Sequence, residues 1–218
     1  MRKRLARASM EDGFTLVELL TTMVLLGIVL SIATLAMSSA ANSYVDQKTY
    51  SDTLRLGTTA MNVMTKTIRG GTEIKVLNSD NLPAFKTATS GEIEVFVAQS
   101  ERPELVRFFV NDENKLVRQT TPANPDSAAP YWEFSDDPES NNIIAYTVPE
   151  DEKDNIFTYF DSNDEEIDLS SGSNQPNQLS RIRSVRIDLT IDTDPNQATP
   201  VELINTVVLP NLGVIQDL

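Results

Sequence analysis

The chain contains no cysteine and no histidine. Without cysteine no disulfide can staple the fold, even in an oxidising compartment. Without histidine the commonest general base and metal ligand is missing. Tryptophan occurs once, as Trp132. Basic residues are few, 18 Lys and Arg against 32 Asp and Glu, for a formal net charge of −14. That balance argues against a basic nucleic-acid groove and favours solubility outside the cell. No serine sits in a Gly-x-Ser-x-Gly elbow, and no Gly-rich phosphate loop follows a strand. Asp and Glu are so frequent that no pair of them stands out. The length, 218 residues, suits one soluble domain with an appendage.

Charge is also missing locally: after Glu18 no charged residue occurs until Asp46. This apolar run is long enough to span a bilayer. Ahead of it, Arg2, Lys3, Arg4 and Arg7 outnumber Glu11 and Asp12. A basic N-terminus before an apolar run places the N-terminus in the cytoplasm and exports the rest. Glu18 then has two readings. It is an ordinary residue at headgroup level, or it is a carboxylate in hydrocarbon that needs a partner and marks a functional site.

The residues around it are Gly13-Phe14-Thr15-Leu16-Val17-Glu18-Leu19-Leu20. Together with the basic leader and the apolar helix, this stretch resembles the processing site of type IV pilins and type II secretion pseudopilins. The resemblance implies cleavage by a prepilin peptidase between Gly13 and Phe14, N-methylation of Phe14, and an assembly role for Glu18. It also implies a helix that melts at a glycine, here Gly27; the proline that many pilins carry further along is missing from Ser31–Leu35. Close packing against another membrane helix is the alternative reading of Gly27. The cysteine-free sequence departs from the many relatives that carry a C-terminal disulfide. Physically, cleavage creates an α-amine that is cationic near neutral pH, and in a staggered bundle it can meet the Glu18 of a neighbour.

Apolar residues at helical spacing, Tyr50, Leu54, Met61, Met64 and Ile68, continue the helix to Arg69, where Gly70-Gly71 stops it. That stripe is expected to be core. Strands are expected at Glu92–Val97, Leu105–Val110, Lys115–Arg118, Ile143–Thr147, Ile156–Phe160, Ile182–Ile191 and Val201–Leu209. The second and third form a hairpin across Asn111–Asn114, which resembles one in the J-type (PilW/PulJ-like) minor pilins and pseudopilins. So does the aromatic strand Ile156–Phe160 entering the acidic turn Asp161–Asp168. Residues 120–142 hold four prolines and read as a loop, with Tyr131–Phe134 as a short strand. Residues 170–178 read as a flexible loop.

The acidic turn invites a calcium reading, with Asp161, Asn163, Asp164 and Glu166 as ligands. Asp161, Asn163 and Glu165 have the spacing that opens an EF-hand. However, Glu166 stands where that loop needs glycine, and Gly172 where it needs a bidentate glutamate. A solvated hairpin turn is the better reading. Trp132 is either an exposed contact residue or a partly buried anchor.

The expected fold is α+β: a long N-terminal helix packed on an antiparallel β-sheet body. Its parts are a cleaved leader at 1–13, a transmembrane and filament-core helix at 14–41, an amphipathic half at 42–70, and a β-rich body at 71–218. The resemblance implies a non-enzymatic minor pilin or pseudopilin; a filament-tip adhesin is the alternative. The implied partners are a prepilin peptidase, other pilins or pseudopilins through the N-terminal helix, the inner membrane and an assembly platform. No cofactor, no catalytic residue and no direct nucleic-acid binding are expected. The implied location is a single membrane pass, followed by an extracellular or periplasmic filament.

Overall fold

The computed structural model describes residues 14–76, 81–98, 102–127, 129–135, 137–169, 175–193 and 200–210. It contains one long helix, α1 (Leu16–Arg69), and nine strands in chain order. The chain divides into two units, Met1–Gln47 and Lys48–Leu218.

Within the second unit the strands form two antiparallel sheets. The first has the order β1 (Phe85–Ala88), β2 (Glu92–Val97), β3 (Glu104–Val110), β4 (Leu116–Pro122) and β5 (Ser140–Ala145). The second has the order β7 (Glu166–Ile167), β6 (Phe157–Phe160), β8 (Ser184–Ile191) and β9 (Val201–Val208). The α+β class is as expected, but two sheets stand where one was expected. Alternating polar and apolar residues fix each strand's faces; they carry no information on which strands share a sheet. Ile143 and its neighbours pair with β4, whereas the following aromatic strand pairs with β8.

Both sheets and the C-terminal half of α1 share one core. It includes Met64 and Ile68 from the helix, Phe85, Ile93 and Phe108 from the first sheet, and Tyr159, Ile187 and Leu189 from the second. The Tyr159 ring meets Phe85 edge-on at 6.4 Å. Its hydroxyl donates to the Thr89 carbonyl at 2.8 Å. Burial and the nearby Glu92 charge push this phenol upward, while the Thr89 bond opposes them, so it stays a neutral donor.

The helix buries Thr53, Gly57, Ala60, Met61, Met64, Thr67 and Ile68 against the sheets. Met61, Met64 and Ile68 are core as expected, but Tyr50 and Leu54 are exposed, at 46% and 38%. Ahead of Met61 the contact is made by small residues, Thr53, Gly57 and Ala60. A side chain at Gly57 would come within 2.6 Å of Leu203 Cδ1 and 3.2 Å of Ile191 Cδ1, so the missing Cβ lets helix and sheet approach closely. Thr53 adds a hydroxyl contact to Thr193, and Asn205 donates to Thr65 Oγ1 at 2.8 Å. The helix stops at Gly70 and Gly71, as expected. The Gly71 N–H still reaches back to the Ile68 carbonyl at 2.9 Å.

Three other expectations are corrected. Tyr131–Phe134 is not a strand: Tyr131 and Phe134 make only single bridges, to Lys75 and Ala123. Residues 120–142 are not all loop, since β4 runs to Pro122 and β5 begins at Ser140. The segment 170–178 includes the start of a short helix, α2 (Pro176–Leu179), with proline at its first turn. Strand β1 was not foreseen; at four residues it is too short for a periodicity to show.

Two hairpin turns share one construction. In Asn111–Lys115 the Asn111 Oδ1 accepts the N–H of Glu113 at 3.1 Å and of Lys115 at 2.9 Å. In Asp161–Glu165 the Asp161 Oδ1 accepts the N–H of Asn163 at 2.8 Å and of Glu165 at 3.2 Å. The fourth residue of each turn is left-handed, Asn114 at φ 58° and Asp164 at φ 59°; Asn and Asp tolerate that region best after glycine. The other oxygen of Asp161 accepts from Arg181 at 3.2 Å.

The N–H of Asn163, then those of Glu165 and the Arg181 guanidinium, hold the Asp161 carboxyl below its ordinary value despite desolvation. A lowered folded pKa means the stabilisation is present above the unfolded value, about 3.9, and is lost as pH falls through the folded value. Asp161→Ala should therefore lower the melting temperature at pH 7, and the gap to the unmodified protein should close as pH falls below the ordinary carboxylate range. Asp161→Asn should keep the turn, since Asn111 builds the same turn with an amide, and should flatten this pH dependence. Thermal melts across pH measure both. A separate melt tests the helix contact: Gly57→Leu should destabilise by about 1–3 kcal/mol through overpacking, and Leu203→Ala in the same chain should recover part of it.

Candidate functional site

The first described residues are those of the site. Phe14 is 81% exposed and precedes α1. Thr15 caps the helix: its Oγ1 accepts the Glu18 N–H at 3.2 Å, and its carbonyl accepts the Leu19 N–H at 3.1 Å. Thr15 and Glu18 thus have the Thr-x-x-Glu spacing of a capping box. The carboxylate lies in the first turn, where the helix dipole favours negative charge. The sequence reading missed the Thr15 role, although the spacing signals it. Gly13 and the leader lie outside the described residues.

The apolar run that follows is helical throughout, and among the described residues all of its side chains are exposed. Leu20, Leu25, Leu30 and Leu35, for example, are each more than half exposed. Four hydroxyls within it bond back to the helix backbone. The hydroxyls of Thr21 and Thr22 donate to the carbonyls of Glu18 and Leu19, three residues back. Those of Ser31 and Thr34 donate to Gly27 and Leu30, four back. Such bonds remove the cost of a hydroxyl in hydrocarbon. The Glu18 carboxylate is different: among the described residues it has no hydrogen bond or ion pair. It is also the only charged side chain on α1 before Asp46.

Gly27 sits in unbroken helix, and a Cβ there would meet nothing within 4 Å. No contact within the chain calls for glycine at this position.

The other candidate residues do not converge. Asp161 has both carboxylate oxygens committed to its turn and to Arg181. Asp164 supplies the left-handed corner, and Glu166 is exposed at the start of β7. Trp132 is half-buried against Ile74, Phe96 and Leu105, beside Phe134, whose ring lies 5.0 Å from that of Phe96; the partly buried anchor is what is found.

Residues 9–34 match the prokaryotic N-terminal methylation motif. The match covers Gly13, Phe14, Thr15, Glu18 and Gly27. No curated protein matches the chain. The matched segment carries a pilin-type signal joined to a long apolar helix, which marks a substrate of a prepilin peptidase and supports a type IV pilin-like prepilin.

Proposed function

We propose that this chain is a minor pilin or pseudopilin, a non-enzymatic subunit of a type IV pilus or type II secretion-like filament. One observation carries the reading: a methylation signal joined to a long apolar helix that is exposed among the described residues. On this reading residues 1–13 remain cytoplasmic and are removed, residues 14–41 span the inner membrane, and the body from residue 71 is exported. Removing the leader takes away four basic and two acidic residues, which leaves the mature chain near −16. On this reading it is a J-type subunit, the group that the segments of β3–β4 and β6–β7 resemble.

The mechanism follows from charge. Cleavage after Gly13 leaves a cationic amine on Phe14, two residues before the helix. Amine and Glu18 carboxylate are each costly in lipid. The amine of one subunit and the Glu18 of its neighbour remove that cost together and fix the axial register of the two helices. Losing one partner of a buried pair costs about 3–5 kcal/mol, enough for one residue to decide whether a subunit enters the filament. The assembly platform and neighbouring pilins are the partners this requires. Gly27, whose added Cβ would meet nothing within 4 Å among the described residues, is free to serve helix unwinding or close helix packing.

A groove of about 510 Å³ favours the second reading, a tip adhesin. It is lined by Leu82, Phe85, Phe96, Trp132 and Phe134, and Trp132 and Phe134 come from the Pro-rich excursion.

Protein recovered from membranes should have the intact mass of a chain that starts at methylated Phe14. A mature chain that starts elsewhere overturns the processing assignment. Glu18→Ala and Glu18→Gln should both be cleaved and folded yet remain in the membrane fraction when filaments are sheared off. Immunoblots that show either variant in filaments at the unmodified level remove Glu18 from the assembly role.

A further inference from the structure

We propose that β9 is a pairing edge through which two copies of this chain join their second sheets into one continuous antiparallel sheet. The two sheets have four outer strands. Three carry the features that blunt an edge. Strand β1 has four residues and a register shift between Phe85 and Thr87. Strand β5 has a register shift at Leu116/Val117 against its partner. Strand β7 has two residues. Strand β9 has none of them: it runs eight residues in unbroken register with β8, from Ile191↔Val201 to Ser184↔Val208. It contains no proline and one charge, Glu202. Ile204 and Val208 on its outer face are each 62% exposed.

The backbone of β9 is set for a second partner. Leu209 donates its N–H to the Arg183 carbonyl at 2.9 Å. Alternation along an antiparallel ladder then turns the odd-numbered residues toward β8. Glu202, Ile204, Thr206 and Val208 turn their N–H and C=O groups to the open edge. Among the described residues none of these groups has a partner there.

The charge pattern selects a second copy and its register. On the outer face Thr206 lies opposite Arg186 of β8, and Ile204 lies opposite Asp188; Arg186 Nε donates to Asp188 Oδ2 at 3.0 Å, which leaves the other guanidinium nitrogens of Arg186 for a second carboxylate. Pair β9 with its own copy about Ile204. Ile204 then faces the second copy's Ile204, and Glu202 faces the second copy's Thr206, with the second copy's Arg186 next in the row. The same row forms on the other side of the two-fold axis, about 13 Å away along the strands, so the two Glu202 carboxylates do not oppose each other. A slip of one register in one direction puts Glu202 opposite Val208, with no counter-charge. A slip in the other direction puts it opposite Ile204, beside the second copy's Asp188, a carboxylate that already takes up Arg186 and offers Glu202 no donor. The centred register exchanges about six main-chain hydrogen bonds. The proposal uses the second unit alone and does not depend on the filament reading.

The absence of native cysteine makes the test direct. In the full-length chain in its membrane, Ile204→Cys places two sulfurs across the axis, at a Cα separation of about 5.5 Å, within disulfide range. Mild oxidation should convert most of it to a dimer on a non-reducing gel. Thr206→Cys should cross-link at least tenfold less, because its copies lie about 13 Å apart. Adding Glu202→Lys to Ile204→Cys should reduce the dimer several-fold. If Ile204→Cys yields no dimer while its melting temperature matches the unmodified chain, the proposal is overturned. Equal cross-linking of Ile204→Cys and Thr206→Cys also overturns it, since random collision then explains both.

Discussion

The N-terminal half of α1 is governed by an apolar surface that stays exposed among the described residues. From Leu16 to Met37 the large apolar side chains are each more than half exposed. Exposed apolar area on this scale is unfavourable in water at about 25 cal/mol per Å², so its surroundings must come from outside the chain, as lipid or as other helices. The hydroxyls of Thr21, Thr22, Ser31 and Thr34 are adapted to that setting through their bonds to the helix backbone. Glu18 cannot be satisfied in the same way. A carboxylate at the head of such a surface is costly without a counterpart, and the proposed assembly role of Glu18 rests on that cost.

The second half of the helix solves the opposite problem. It is covered by the body, and the residues that bring the two together are small: Thr53, Gly57 and Ala60. Gly57 admits Leu203 and Ile191 to a distance that any side chain would prevent. The rest of the body gains its order from turn chemistry and mixed sheet packing. It has no disulfide to rely on. The paired turns at Asn111 and Asp161 hold both hairpins with side-chain oxygens rather than glycine.

Much of this was legible in the sequence. The helix, its end at Gly70-Gly71 and strands β2, β3, β4, β6, β8 and β9 follow from periodicity and turn residues. The methylation motif was legible because residue identity, spacing and charge coincide at Gly13, Phe14 and Glu18, and residues 9–34 match it. The division into two sheets was not legible, because strand pairing depends on contacts far apart in sequence, such as Phe157 with Ile187. The helix contact was misjudged at Tyr50 and Leu54 because hydrophobicity was read as burial. Tyr50 lies one turn ahead of Thr53, the first buried residue of the helix, and the contact stripe itself runs through small residues. Thr15 escaped notice because the capping signal Thr-x-x-Glu overlaps a motif already read for another purpose.

The central claim is that the segment after Glu18 lives in lipid and that Glu18 stands at its head. Single cysteines placed from Leu19 to Asp46 in this cysteine-free chain, labelled with a fluorophore in membranes, would test it most directly. The account predicts a continuous stretch, from about Leu19 past Leu35, quenched by lipid-borne quenchers and protected from aqueous ones, with aqueous quenching restored by Asp46. Labels open to aqueous quenchers throughout the stretch would contradict it.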